Sequence, residues 1–385
     1  MTTAAGALTP DRRTTILVAA AEMFAEKGFA GTGIDDIGAR AGVTGPAIYR
    51  YFRGKDALLR AVIAHGVDAF ELPEDAVSGG LEAMIPPAVG NGLDRPAFLV
   101  TYLREYHRLD DEARTEIGRT ERRLIDQWRD AIGDANTALS RDETTLRLRA
   151  VFTALGATAS RPSRVPRTVL EPLLVRSALA AFTAPATPQR AAVVPTPGWS
   201  LAPSRRDVIL DAAMRLFSER GYHGVSMDDI GDAVGISGPT IYSHYGSKLD
   251  VLAAAHERAS VRTWVAVQDA ARDATSASDA LDRLAAAQLS VAAEHRDLIV
   301  VTTRELAALD PIDQQRLTTR ATEIVDVWIA VLGELRPELG RSELRAVLTG
   351  VFPLMNETAH TLDRPEDGVP PVRSWALGVP EVNGS

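Results

Sequence analysis

Apolar residues Ile16, Leu17, Ala20 and Phe24 recur at the three- and four-residue spacing of one helix face, and Gly28 stands where such a helix closes in a left-handed cap. The pattern returns as Ile209, Leu210, Ala213, Phe217 and Gly221. A short second helix follows in each place. Ser226 and Asp229 have the spacing of a capping box ahead of a segment ending near Gly235, whereas Gly33 and Asp36 give the first occurrence a weaker cap. Ala41-Gly42-Val43 and Val234-Gly235-Ile236 then read as tight turns. They lead to Thr44 and Ser237 as N-caps of a third helix, predicted to run on through Tyr49 to Phe52 and through Tyr242 to Tyr245. Lys55 and Lys248 open a fourth. From about 57 to 182 and 250 to 380 the chain is a series of amphipathic helical patterns broken at Pro86-Pro87, Asn91-Gly92 and Pro337, with no alternating strand pattern. The expected fold class is all-α.

The recurrence is a duplication. Residues 13–62 align without a gap on residues 206–255, shifted by 193 positions, with 21 of 50 identical. Gly28/Gly221, Gly42/Gly235, Gly45/Gly238, Pro46/Pro239, Tyr49/Tyr242 and Lys55/Lys248 all fall in register. At a shift of 200, Arg104-Glu105 lands on Arg304-Glu305, Leu109-Asp110 on Leu309-Asp310, Trp128 on Trp328 and Val151-Phe152 on Val351-Phe352. A two-copy period of this length is too long for a solenoid and reads as a fused dimer, each half supplying what a separate subunit would. The expected organisation is a tail over 1–10, a first head over 11–56, a first helical domain over 57–183, a linker over 184–204, a second head over 205–249 and a second helical domain over 250–385. The linker holds five prolines and, extended at about 3.1 Å per residue, spans on the order of 60 Å.

At 385 residues, 45% hydrophobic and 24% charged, the chain has the composition of a globular protein with material for two cores. It lacks an apolar run of membrane-spanning length, and MTTAAGALTP lacks the pattern of a secretory signal, so a cytoplasmic protein without membrane contact is expected. Zero cysteines exclude disulfides, thiol catalysis and cysteine-ligated zinc. The net charge of −9 hides a difference between the heads. Residues 11–62 carry eight Lys/Arg against six Asp/Glu, a net of +2. Residues 204–255 carry five against seven, a net of −2. The second head is electrostatically the poorer phosphate binder.

A helix, a glycine turn and a second short helix make a helix-turn-helix, whose second helix enters the major groove. The strings Gly42-Val43-Thr44-Gly45-Pro46-Ala47-Ile48-Tyr49-Arg50-Tyr51-Phe52-Arg53-Gly54-Lys55 and Gly235 through Lys248 resemble the signature of the tetracycline-repressor (TetR) family of bacterial transcription regulators. The resemblance covers all fifty residues of each module. It implies a variable helical ligand-binding and dimerisation domain behind each head, and pairing of the two halves through their last helices inside one chain. Thr44 and Ser237 offer hydroxyls and nearby amides to phosphate, with Gly45-Pro46 and Gly238-Pro239 beside them. Tyr49 and Tyr242 donate phenolic hydrogen bonds to phosphate and Lys55 and Lys248 supply point charges, matching the family's phosphate contacts. Ala47 and Arg50, against Thr240 and Ser243, are placed to meet base edges, with Tyr51 and His244 as further candidates; arginine reads guanine bidentately. Because these residues differ between the copies, the expected double-stranded operator has unlike half-sites. Phe24/Phe217, Phe52/Tyr245 and Leu59/Leu252 read as core.

The segments around Arg104-Glu105 and Arg304-Glu305, with Trp128 and Trp328, look like regulatory domains of TetR-family proteins linked to lipid or acyl-thioester metabolism, which implies a small apolar or acyl-type effector. Phe98, Tyr102, Tyr106, His107 and Phe152 in one half, and Trp264, Phe352, Met355, Asn356 and His360 in the other, are the candidate pocket lining. The Arg-Glu pairs read as structural ion pairs. The first half ends in a full helix from about Thr168 to Phe182, the second in a short segment from Val372 to Val379, so a lopsided internal interface is expected. No cofactor, metal site or enzyme is expected: the seven histidines lack ligand spacing, and neither a phosphate-binding glycine loop nor a nucleophile elbow is present. The sequence reads as a ligand-responsive repressor. Two readings stay open beside it: a regulator whose second head has lost DNA and works by protein contact, and a ligand-sequestering helical protein with vestigial heads.

Overall fold

The computed structural model describes residues 11–68, 70–71, 76, 79–132, 139–159, 163–185, 204–361 and 365–379. The proposed tail over 1–10 and most of the proline-rich linker lie outside the described residues. Among the described residues every regular element is helical. The first half runs α1 (Arg12–Lys27), α2 (Ile34–Ala41), α3 (Gly45–Ile48), α4 (Lys55–Asp68), α5 (Leu81–Asp94), α6 (Pro96–Glu105), α7 (Asp111–Ile132), α8 (Arg141–Ala159) and α9 (Arg167–Thr183). The second repeats the order as α10 (Arg205–Arg220), α11 (Met227–Ala233), α12 (Gly238–Tyr242), α13 (Lys248–Arg272), α14 (Ala277–Glu294), α15 (Arg296–Arg304), α16 (Pro311–Leu335), α17 (Arg341–Thr361) and α18 (Val369–Leu377). No described helix is long and apolar enough to cross a membrane.

The chain forms two compact units that do not follow the copy boundary: residues 1–131 with 159–162, and residues 132–158 with 163–385. In the first unit, the apolar stripes of α1 to α4 (Ile16, Phe24, Ile37, Ile48, Leu58, Ile63) share one core with Phe98 on α6 and with Leu109 and Ile117. Head and regulatory helices are therefore packed as one body. Leu298, Val301, Leu309 and Leu317 close the second head in the same manner.

The second unit also contains α8 and α9 of the first half. Helix α9 packs along α18 and touches α17, while α18 lies on α14 and α17. This is the intrachain pairing of last helices that the family resemblance implies. Ser177 on α9 and Ser374 on α18, both fully buried, come from the Val-Arg-Ser triplet the two helices share. A buried arginine ties off each helix: Arg147 donates to the carbonyls of Phe182 (3.0 Å) and Ala184, and Arg336 Nη1 to Ala376 O at 3.2 Å. Helix α18 has nine residues against seventeen in α9, with Pro370 and Pro371 in its first turn.

The third helix is shorter than its sequence suggests. α3 stops at Ile48 and α12 at Tyr242, and the chain then tightens, with Tyr51 N–H donating to Ile48 O at 2.9 Å. Phe52 N–H still reaches Ile48 O at 3.0 Å, and Tyr245 N–H reaches Ile241 O at 3.1 Å. Phe52, 5% exposed, turns inward beneath the Arg13 guanidinium (5.1 Å to the ring centre), and Tyr245 does the same beneath Arg206 at 4.3 Å.

Candidate nucleic-acid interface

Each recognition segment hangs on a glycine turn. Gly42 and Gly235 have φ of +66° and +67°, a backbone that side chains rarely adopt, and the turns close through Val43 N–H to Gly38 O (2.9 Å) and Ile236 N–H to Gly231 O (3.0 Å). A side chain at Gly38 would meet the Val43 carbonyl oxygen at 2.9 Å, so α2 and the turn press backbone to backbone there. The caps differ as their sequences suggest. Ser226 accepts from Asp229 N–H (3.1 Å) while its own N–H donates to the Asp229 carboxylate (2.7 Å); the first head has only Gly33 N–H to Asp36, at 3.1 Å.

The polar candidates project from these turns. Tyr49 and Tyr242 are 55% and 52% exposed, large aromatics facing water, and Tyr51 is 44% exposed. Thr44, Pro46 and Arg50 are exposed in the first head, Ala47 is half-buried and Gly45 is buried. The Thr44 hydroxyl makes no capping bond. In the second head Ser237, Thr240 and Ser243 are exposed and His244 is half-buried. Ser237 Oγ and Thr240 Oγ1 lie 2.9 Å apart, and Ser243 Oγ donates to Thr240 O at 2.7 Å. Gly238 and Pro239 form the first turn of α12. With four and five residues, α3 and α12 develop little end dipole, so hydroxyls and phenols carry the polar character of this face.

Lys55 and Lys248 point elsewhere. Lys55 Nζ donates to Phe29 O (2.7 Å) and Thr32 O (2.9 Å) and lies 4.3 Å from the Phe29 ring centre. Lys248 repeats this with Tyr222 O (2.8 Å), Val225 O (2.7 Å) and the Tyr222 ring at 4.4 Å. Burial pulls the Lys248 ammonium below the usual lysine range, against the opposing charges of Glu305 and Asp229. Two of three ammonium hydrogens hold the turn between the first two helices, so at most one is left for a phosphate.

Arg104 and Glu105 were expected to pair with each other and do not. Arg104 Nη1 donates to Ala25 O at 3.0 Å, in the last turn of α1, while the buried Glu105 accepts from Phe29 N–H (3.1 Å) and from Arg108 Nε (2.6 Å). Arg108 is three residues from Glu105, but Phe29 and Ala25 lie 76 and 79 positions from their partners, beyond the reach of local sequence pattern.

Of the ten pocket candidates, Phe98, Tyr102, Tyr106 and His107 fall in the first unit and Phe152, Trp264, Phe352, Met355, Asn356 and His360 in the second. Phe98 is buried in the first head's core with Tyr102 and Tyr106 packed against it, and Tyr102 donates to Glu121 at 2.6 Å. His107 sits in the single turn after α6 and Phe152 is half-buried on α8. Trp264 is half-buried under Arg320 (5.9 Å), Phe352 meets Trp328 edge-on at 5.8 Å, Met355 is fully buried and Asn356 half-buried. His360 falls on α17, its side chain outside the described part. A cleft of about 400 Å³ exists elsewhere in the second unit, lined by Arg147, Arg149, Val151, Ala181, Leu354 and Asp367 among others, and none of the ten lines it.

Two helix-turn-helix heads, each locked to its own helical bundle, define the class of protein. The sequence profile of the bacterial regulatory proteins of the tetR family matches twice, over residues 16–62 and 209–255. The chain therefore carries, in tandem, two domains that match the tetR-family profile. It is 44% identical over 54 residues to the HTH-type transcriptional activator FasR of Mycolicibacterium smegmatis, 14% of this chain and 25% of that protein. Over 46 residues it is 44% identical to IcaR of Staphylococcus epidermidis, a biofilm operon HTH-type negative transcriptional regulator, 12% of this chain and 25% of that one. The chain thus spans about a quarter of the length of these curated relatives. Among solved structures, the TetR family transcriptional regulator PfmR from Thermus thermophilus superposes with a TM-score of 0.41 at 22% identity, covering 48% of this chain and all of that one.

Proposed function

We propose that the chain is a ligand-responsive transcription repressor that binds one double-stranded operator as a single-chain pseudo-dimer, one head on each of two unlike half-sites. The observation that carries this reading is the pair of exposed phenols, Tyr49 and Tyr242, held at matching places beside recognition residues that differ: Ala47, Arg50 and Tyr51 against Thr240, Ser243 and His244. Shared backbone contacts would position both heads, and the differing side chains would read different bases. The packing of α9 on α18 supports pairing within one chain.

The second head's net charge of −2 favours a reading in which only the first head binds DNA. Against it, Asp207 and Asp211 are both paired with Arg258 at 2.6 Å, and Asp229 caps α11, so three of the seven acids are internally engaged. We place the effector in the second helical domain. There Trp328 Nε1 and Gln288 Oε1 are buried without a hydrogen-bond partner among the described residues, whereas the matching Trp128 donates to Phe70 O at 3.2 Å. Buried polar atoms without partners are costly, and a ligand that reached them would relieve that cost. Such a ligand shifts operator affinity by its preference for one state. Repression accords with IcaR, a negative regulator, and activation, as FasR's name states for that protein, is the opposite outcome of a promoter-reporter assay.

The test is selection of bound sequences from a random duplex pool with the full chain. Enrichment of a site with two unlike halves supports the reading; a symmetric site leaves one reading head; no enrichment overturns it.

A further inference from the structure

We propose that Glu105 is a positioning residue that lets helix α6 set the first recognition helix, and that the second head holds the matching contact more weakly and is set chiefly through Arg258 on α13. The proposal rests on the DNA-binding reading above for its consequence, though not for its geometry. The turn between α1 and α2 is where each head's helix-turn-helix departs from its first helix, so whatever fixes that turn fixes the recognition segment.

In the first half the turn depends on distant partners. Glu105 takes the Phe29 N–H at 3.1 Å and is itself held by Arg108, whose guanidinium also lies 5.8 Å from the Phe29 ring centre. Arg104 binds the Ala25 carbonyl, Lys55 the carbonyls of Phe29 and Thr32, and Thr32 Oγ1 bonds Gly28 O at 2.8 Å and Met23 O at 3.1 Å. Carboxylate and ammonium thus grip the N–H and C=O of the same residue, Phe29, from α6 and α4. A displacement of α6 has a rigid path to α2.

In the second half three of these parts change. Ala308 stands at the place of Arg108, Val225 at that of Thr32, and Glu305 is half-buried with Tyr222 N–H at 3.4 Å. Lys248 still holds the Tyr222 and Val225 carbonyls, and the 3-10 segment Tyr222–Gly224 and the Ser226 capping box add local support to the turn. Its head is anchored through α10, where Arg258 pairs with Asp207 and Asp211; the first half has His65 at that place. The two heads are therefore unequally coupled to α6 and its counterpart α15.

Amide hydrogen exchange on the DNA-free full chain tests the latch, with operator affinity measured separately on the selected duplex. Glu105→Ala speeds exchange at Phe29 by about tenfold or more, the scale of a lost charge-assisted hydrogen bond. Glu105→Gln, which keeps an acceptor oxygen, recovers part of this. Glu305→Ala changes exchange at Tyr222 by less than about threefold, and Ala308→Arg slows it. Affinity falls for Glu105→Ala, and the loss disappears on a duplex whose first half-site is scrambled. Equal responses at Phe29 and Tyr222, or no response at Phe29, overturn the proposal. Exchange as expected with no duplex bound by any variant upholds the latch and removes the DNA-binding reading alone.

Discussion

The second half carries Gly350 and Trp375 where the first carries Ala150 and Ala178, and the structure shows why the two exchanges belong together. Trp375 is fully buried, its indole N–H donates to Val347 O at 3.1 Å, and a methyl group built on Gly350 would lie 2.4 Å from Cζ2 and 2.8 Å from Cε2 of the ring. Gly350→Ala alone forces an overpacked contact costing about 1–3 kcal/mol, against a helix-propensity gain of about 1 kcal/mol, for a net loss of about 1 kcal/mol. Trp375→Ala alone costs about 3–5 kcal/mol through the cavity it leaves. With the indole gone, the Gly350→Ala methyl meets open space and only its propensity gain remains. Its effect therefore changes sign, to about 1 kcal/mol stabilising, and the double-mutant cycle gives a coupling of about 2 kcal/mol. Urea unfolding of the four proteins, followed by circular dichroism, reads this directly. Gly350→Ala destabilising by the same amount in both backgrounds would refute the reasoning.

Tyr49→Phe and Tyr242→Phe should each leave the unfolding midpoint within about 0.5 kcal/mol of the parent, as suits an exposed side chain, while weakening duplex binding several-fold for about 1 kcal/mol of lost hydrogen bond. An effect at Tyr49 only would mean a single reading head. Lys55→Met should cost about 2 kcal/mol of stability, because two carbonyls lose a charged donor; unchanged unfolding with weakened DNA binding would return this lysine to the phosphate role. Burial holds His256 below the ordinary histidine value of 6.5, with Glu305 and Asp313 opposing, so the folded state keeps it neutral while the unfolded chain takes up a proton. Its contribution is full above pH 6.5 and declines as the pH falls below that value, and His256→Gln should flatten this part of a pH-stability curve. A curve unchanged by His256→Gln would assign the acid sensitivity to other groups.

The helix starts and the glycine turns were legible because each depends on residues within about four positions: Ser226 caps with Asp229, and Gly42 turns because only glycine holds its backbone easily; the duplication was legible because the same string recurs 193 positions on. The length of the third helix was not. Tyr49 to Phe52 has helical composition, yet the regular helix stops at Ile48 and Phe52 packs under Arg13, a tertiary contact that local pattern does not show. Lys55 illustrates the same boundary at the site. A lysine opening a helix behind a recognition segment reads as a free cation, and only the folded chain brings the Phe29 and Thr32 carbonyls, 26 and 23 positions earlier, to its ammonium. Aromatic composition likewise named pocket candidates without distinguishing Phe98, which a head's core consumes, from side chains that face open space.

The central claim is that one chain does the work of two subunits. Sedimentation of the full chain on its selected duplex, with the mass of the complex measured directly, tests it most closely. One chain of 41.3 kDa per duplex, on a site whose two halves differ, is the predicted result. Two chains on a symmetric site, with the second head dispensable, would contradict it.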